Sequence, residues 1–211
     1  MHHPVRTFVR TGQQLAVAVL ALGSVASAHA TIIDFDSLSD GTVVTNQFAG
    51  QGITFSSDGG QVIYITAQPS YQSTAPDFLC TGFAGAGINC TGTVIFDFST
   101  PVNGLQFDAV GNQNAIGTSF AQADIYQNGI LTVSNLALLV SQGNYAPDHQ
   151  DLSAYSNITR VLIHGNTDGA GTGYDTISFT AGNTPVPEPA TLSLLGLGFA
   201  GLGFMRRRKT R

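Results

Sequence analysis

Between residues 31 and 182, apolar and polar side chains alternate in short runs broken by glycine, asparagine and proline. The runs Thr31–Phe35, Thr42–Asn46, Ile53–Ser56, Gln61–Thr66, Thr93–Ser99, Val102–Val110, Ala121–Gln127, Ile130–Asn135, Ile158–His164 and Tyr174–Thr180 keep a period of two, the signature of half-buried strands. Val94, Phe96 and Phe98 share one face, as do Leu105, Phe107 and Ala109, and Ile177 with Phe179. Asn128-Gly129 between two such runs predicts a tight hairpin, because both residues tolerate positive φ. No amphipathic helix of useful length occurs in this stretch, and no repeat of fixed period points to a solenoid. Many short strands joined by glycine-rich turns predict an all-β body, a single β-sandwich of the jelly-roll kind over 31–182.

The two ends are a different polymer. Of eight basic residues only Arg160 lies between Thr31 and Thr184, and the same stretch holds twelve Asp and no Glu. One arginine against twelve aspartates leaves the body at −11, while the whole chain is −5. Such a charge repels nucleic acid, so no nucleic-acid partner is expected. Residues 1–30 have the three parts of a secretory signal peptide: Arg6 and Arg10, a short apolar run from Leu15 to Val25, and small residues around Ala28-His29-Ala30. At the other end, a 183–189 linker leads into an apolar stretch, Ala190 to Met205. At about 1.5 Å per residue, 190–205 reaches the short limit of a transmembrane helix. Arg206, Arg207, Arg208 and Lys209 then form a membrane stop, a basic cytoplasmic tail over 206–211. Both ends therefore put the body outside the cytoplasm. Gly196-Leu-Gly198-Phe-Ala-Gly201 matches a dinucleotide fingerprint by letter only, without the strand, helix and acidic residue that the chemistry needs.

Pro187-Glu188-Pro189, the glycine-rich apolar stretch and the terminal arginine cluster stand in fixed order. Together they resemble the PEP-CTERM sorting signal of Gram-negative bacteria, a tail also described under an ice-binding-protein C-terminal name. The resemblance implies recognition at Pro187, Glu188 and Pro189 by an exosortase, a membrane cysteine protease. It also implies an inner-membrane intermediate with its body in the periplasm and a final place at the cell surface or in the extracellular matrix. The body itself loosely resembles carbohydrate-binding-type sandwiches, by its pattern of strands alone.

Within the body, Cys80 and Cys90 are the only cysteines of the chain, and an even count in an exported protein predicts a disulfide. The aspartates suggest calcium, which takes carboxylate and carbonyl oxygens. Asp34-Phe-Asp36-Ser-Leu-Ser-Asp40-Gly41 half-resembles a calcium loop, and Asp168 to Ile177 resembles a single RTX-type nonapeptide without the stacked copies a β-roll needs. In carbohydrate-binding sandwiches the first and last strands often share a structural calcium, which implies a metal site at Asp34, Asp36 and Asp175. His149, between Asp148 and Asp151, has the neighbours of a general base, while Pro147 and Asp148 read as turn formers. His164 reads as a strand-end residue. No nucleophile elbow, zinc-protease helix or phosphate loop occurs, and no two aspartates stand out as a glycosidase pair. The expectation is a non-enzymatic, polysaccharide-associated surface or matrix protein, with a secreted glycan-active enzyme as the alternative. Exposed aromatics among Tyr64, Tyr71, Tyr126 and Tyr155 on one sheet face would mark glycan binding.

Overall fold

The computed structural model describes residues 29–68, 70, 74, 76–82, 89–169 and 171–182. The signal peptide (apart from His29 and Ala30), Tyr71, the 183–189 linker, the 190–205 span and the basic tail lie outside those residues. Among the described residues no helix is long and apolar enough to cross a membrane. The strands are β1 (Ala30–Ile33), β2 (Ile53–Ser56), β3 (Val62–Ala67), β4 (Asp77–Gly82), β5 (Val94–Val110), β6 (Ser119–Gln127), β7 (Ile130–Leu139), β8 (Asp148–Asp151), β9 (Ile158–His164) and β10 (Gly173–Ala181). They form one sheet in the order β3-β4-β10-β5-β9-β6-β7, with β1 on β10 and both β2 and β8 on β5. The all-β expectation holds.

The sheet curls because β5 bends. Its residues in the main core are Val94, Phe96, Phe98 and Val102, then Leu105, Phe107 and Ala109, so the inward face changes parity between Val102 and Leu105. Gly104, at φ +62°, absorbs the extra residue, a backbone angle that side chains resist. The first half of β5 pairs β2 and β9, and the second half pairs β10 and β8. Eleven residues of straight strand would hold Phe96 and Phe107 roughly 35 Å apart. Their ring centroids are 5.7 Å apart, so the two halves face each other across the core. Residues 41–45 extend the curl: Val44 N–H donates to Ile63 O (2.8 Å), and Phe55 N–H to Thr45 O (3.2 Å). This connection links β3 to β2.

Edge-to-face rings fill the interior, which suits the aromatic quadrupole. Phe35, Phe48 and Phe55 contact one another at 5.3 to 5.9 Å, and Phe55 reaches Phe96 at 5.5 Å. Phe96 and Phe107 both pack on Tyr174, whose hydroxyl is pushed upward in pKa by complete burial. A second cluster of Phe78, Cys80, Cys90 and Val110, with Tyr64 against it, packs on the other side of β4.

Several elements differ from expectation for identifiable reasons. Val94–Val110 is one strand, not two, because Pro101 and Gly104 mark a bend that the ladder survives. Thr42–Asn46 contributes a single bridge, Val43 to Tyr64. β4 has no alternation to read, since all six residues are buried between the main core and the disulfide cluster. β8 is Asp-His-Gln-Asp, a poor strand former by composition, held as a short edge on β5. The Asn128-Gly129 hairpin forms as expected, with φ of 51° and 81°. Phe96→Ala is expected to cost about 3–5 kcal/mol, because the rings around it cannot collapse into the space, as chemical denaturation would measure.

Candidate functional site

Two places gather chemistry: an acidic junction at one end of the curl, and an outward sheet face. The junction follows from strand pairing. β1 runs antiparallel to β10 with Ile33 opposite Ile177, so the first and last strands lie side by side as expected. Phe35, fully buried, anchors the loop that follows β1 in the core, with Asp34 exposed and Asp36 half-buried on either side of it. Asp36 Oδ1 accepts the Asp77 N–H (3.3 Å) at the start of β4. Asp40 Oδ1 accepts the N–H of Ala67 (3.3 Å), the residue opposite Asp77 in the β3–β4 ladder. Asp175, fully buried, accepts from Thr74 N–H (2.8 Å), from the Thr74 hydroxyl (3.1 Å) and from Thr176 N–H (2.7 Å).

Asp77 lies among these groups. It is 4% exposed, and its Oδ1 is buried without a hydrogen-bond partner. Burial, and then the charges of Asp40, Asp36 and Asp175, raise its carboxyl pKa above the ordinary value. A buried acceptor left unpaired costs about 1–3 kcal/mol. Nothing local in the sequence marks Asp77, because its neighbours in space are dozens of positions away in the chain. Among the described residues no group of three carboxylate, imidazole or thiol side chains is arranged to hold a metal ion. Asp34, Asp36 and Asp175 are therefore not gathered as a three-carboxylate seam; Asp36 and Asp175 reach the junction and Asp34 stays at the surface.

The outward face is carried by β5, β9 and β6. Arg160 on β9 stands opposite Asp97 on β5 and opposite Tyr126 on β6. Its Nε donates to Asp97 Oδ1 at 2.5 Å, and its Cζ lies 5.9 Å from the Tyr126 ring centre. This row is half exposed, with Arg160 at 48% and Asp97 at 32% of their side chains, so the ion pair adds little to stability. Four residues along β9, His164 Nε2 is 3.5 Å from Asp124 Oδ1, which also accepts the Asn135 N–H (2.8 Å). A hollow of about 130 Å³ adjoins the row, lined in part by Gly52, Thr54, Asp97 and Ser99.

The remaining sites resolve simply. Cys80 and Cys90 form the expected disulfide, with Cα atoms 4.9 Å apart. Tyr64 packs beside it, its hydroxyl accepting the Asn89 N–H (3.2 Å). The RTX-like segment does not form a β-roll turn: Gly171 bridges to Cys90 so closely that a Cβ there would meet the Cys90 backbone at 2.1 Å. His149 is on a strand rather than a loop, 57% exposed, with Nδ1 2.9 Å from Asp108 Oδ1. Tyr155 packs against the core, so of the four candidate aromatics only Tyr126 is described on the outward face.

Residues 185–209 match the PEP-CTERM protein-sorting motif, so the chain carries that signal at its C-terminus. The motif implies an exported protein that is transiently membrane-anchored, recognised by an exosortase and sorted to the cell surface. Pro187, Glu188, Pro189 and the basic residues Arg206, Arg207, Arg208 and Lys209 fall within the match, outside the described residues. No curated protein matches the chain.

The Asp77 carboxyl has a testable consequence. A raised folded-state pKa means the folded form binds the proton more tightly than the unfolded form, so stability falls as pH rises from about 4 through the folded pKa. In chelator-containing buffer, Asp77→Asn is expected to be more stable than the parent at pH 7 by on the order of 1 kcal/mol. The advantage should shrink toward pH 3, where both forms of the parent hold the proton; urea melts across pH measure it.

Proposed function

We propose that this chain is a non-enzymatic surface protein of a Gram-negative envelope. In this reading its β-body passes through a periplasmic, membrane-anchored stage and then associates with extracellular polysaccharide. The observation that carries this reading is the Asp97–Arg160–Tyr126 row. A tyrosine face offers a platform for the C–H face of a sugar ring, and a planar guanidinium and carboxylate beside it offer donors and acceptors for hydroxyls. A mostly apolar surface with a few oriented polar groups is the usual make-up of a ligand site. The adjoining hollow shares Asp97 and gives a second foothold to a linear chain. The two facing halves of β5 favour a β-sandwich of the carbohydrate-binding type as the finer description of the curl.

A glycan-active enzyme is the second reading, and the His149–Asp108 contact is what favours it, since a carboxylate can orient an imidazole as a base. His149 stands on an edge strand, open to solvent, where a base has little to shield a reaction from water.

Two experiments test the proposal. Titration with extracellular polysaccharide fragments should give saturable binding that weakens roughly tenfold in Tyr126→Ala and in Arg160→Ala, with little change in Tm; a tenfold loss corresponds to about 1.4 kcal/mol. Undiminished binding in both variants would remove this face, and turnover of the fragments would favour the enzyme. Separately, alanines at Pro187, Glu188 and Pro189 should leave an unprocessed precursor in the membrane fraction of an exosortase-bearing host, as immunoblotting of fractions would detect.

A further inference from the structure

We propose that the junction of the Asp34–Asp40 loop with β4 and β10 is a divalent-cation site of the calcium class, in which the carboxylates of Asp77 and Asp36 are the principal ligands. This goes beyond polysaccharide association and does not depend on it.

The first support is the unpartnered Asp77 Oδ1, on a side chain 4% exposed and surrounded by other carboxylates. Asp36 Oδ1 is already within hydrogen-bonding distance of the Asp77 backbone N–H. Asp40 is tied at the same level of the β3–β4 ladder, and Asp175 enters from β10. Three further carboxylates, Asp36 and Asp40 from the loop after β1 and Asp175 from β10, thus stand around Asp77 at the start of β4.

The second support is that the body has no cation of its own to offer. Its single arginine, Arg160, is bonded to Asp97 on the outward face. His149 and His164 stand beside Asp108 and Asp124. The remaining basic residues lie at positions 6, 10 and 206–211. Among the described residues no basic side chain is therefore paired with Asp36 or Asp77.

The donor chemistry narrows the ion. Every candidate ligand is an oxygen, with no thiolate and no imidazole among them, which selects a hard cation over zinc or copper. Two carboxylates completed by backbone carbonyls and water suit calcium, which accepts six to eight oxygens in loose geometry; magnesium demands a near-ideal octahedron. Asp40 and Asp175 add negative charge around the ion without needing to touch it.

The test is calorimetric titration and thermal unfolding of the purified full chain, stripped with chelator and then given calcium or magnesium chloride. At a hundredfold excess over Kd, calcium should raise Tm by roughly 5–10 °C, and magnesium should do much less. Asp77→Asn should raise the Tm of the stripped protein and abolish the calcium shift, whereas Asp58→Asn, a loop residue elsewhere, should keep it. Should Asp77→Asn fail to fold, Asp36→Asn serves in its place and should weaken calcium binding at least tenfold. No calcium-dependent heat or Tm shift, a shift of equal size with magnesium, or a calcium shift undiminished in Asp77→Asn or Asp36→Asn would each overturn the site. Loss of glycan binding in the same samples bears only on the outward face.

Discussion

The bend in β5 is the constraint on which the rest of the molecule depends. A single strand supplies the centre of both facing halves of the sheet, and Gly104 lets it turn while its ladders resume beyond the irregular bend. Once Phe96 and Phe107 meet, the remaining strands have few choices. β2 and β9 must flank the first half, and β10 and β8 the second. The aromatic cluster records this closure, since its rings come from the loop after β1, from β2, from both halves of β5 and from β10. Strand pairing and core packing are thus one event here, which is how a chain with 10% charged residues and no described α-helix reaches a single arrangement.

Charge follows a separate logic. A body built almost without basic residues cannot neutralise its aspartates internally, so each carboxylate is handled locally. Asp175 and Asp148 take backbone N–H donors, Asp97 takes the one arginine, and Asp108 and Asp124 have histidines beside them. The local supply falls short on one oxygen each of Asp77 and Asp148, and of these two Asp77 is the one with other carboxylates around it. The disulfide belongs to the same setting, because a bond of this kind persists in the oxidising space outside the cytoplasm.

How far the sequence could be read depended on whether the information was local. Ile53–Ser56 and Ile158–His164 were legible to the residue, because one face is buried and the other is not. Asn128-Gly129 was legible because its backbone angles are a property of the two residues themselves. β4 was not, since burial on both faces erases alternation, and β8 was not, since a neighbouring strand overrides its poor propensity. The sorting tail was legible because its motif is contiguous. Asp36 and Asp175 could be connected only through the expectation that the chain's first and last strands pair. Asp77 had no such clue: a lone carboxylate acquires its character from groups that the fold alone brings near. The outward row was hidden for the same reason, as Asp97, Tyr126 and Arg160 meet only through strand register.

The pairing of the first strand with the last, Thr31 opposite Phe179 through Ile33 opposite Ile177, also dictates an order of events in time. A secreted chain crosses the membrane from its N-terminus onward, so β1 arrives first and waits. β10 arrives last, and it is the strand that pairs with β1, β4 and the second half of β5. Until residue 181 has emerged the curl lacks its closing strand, and the body stays open while it is threaded. Folding is therefore completed only as the sorting tail reaches the bilayer.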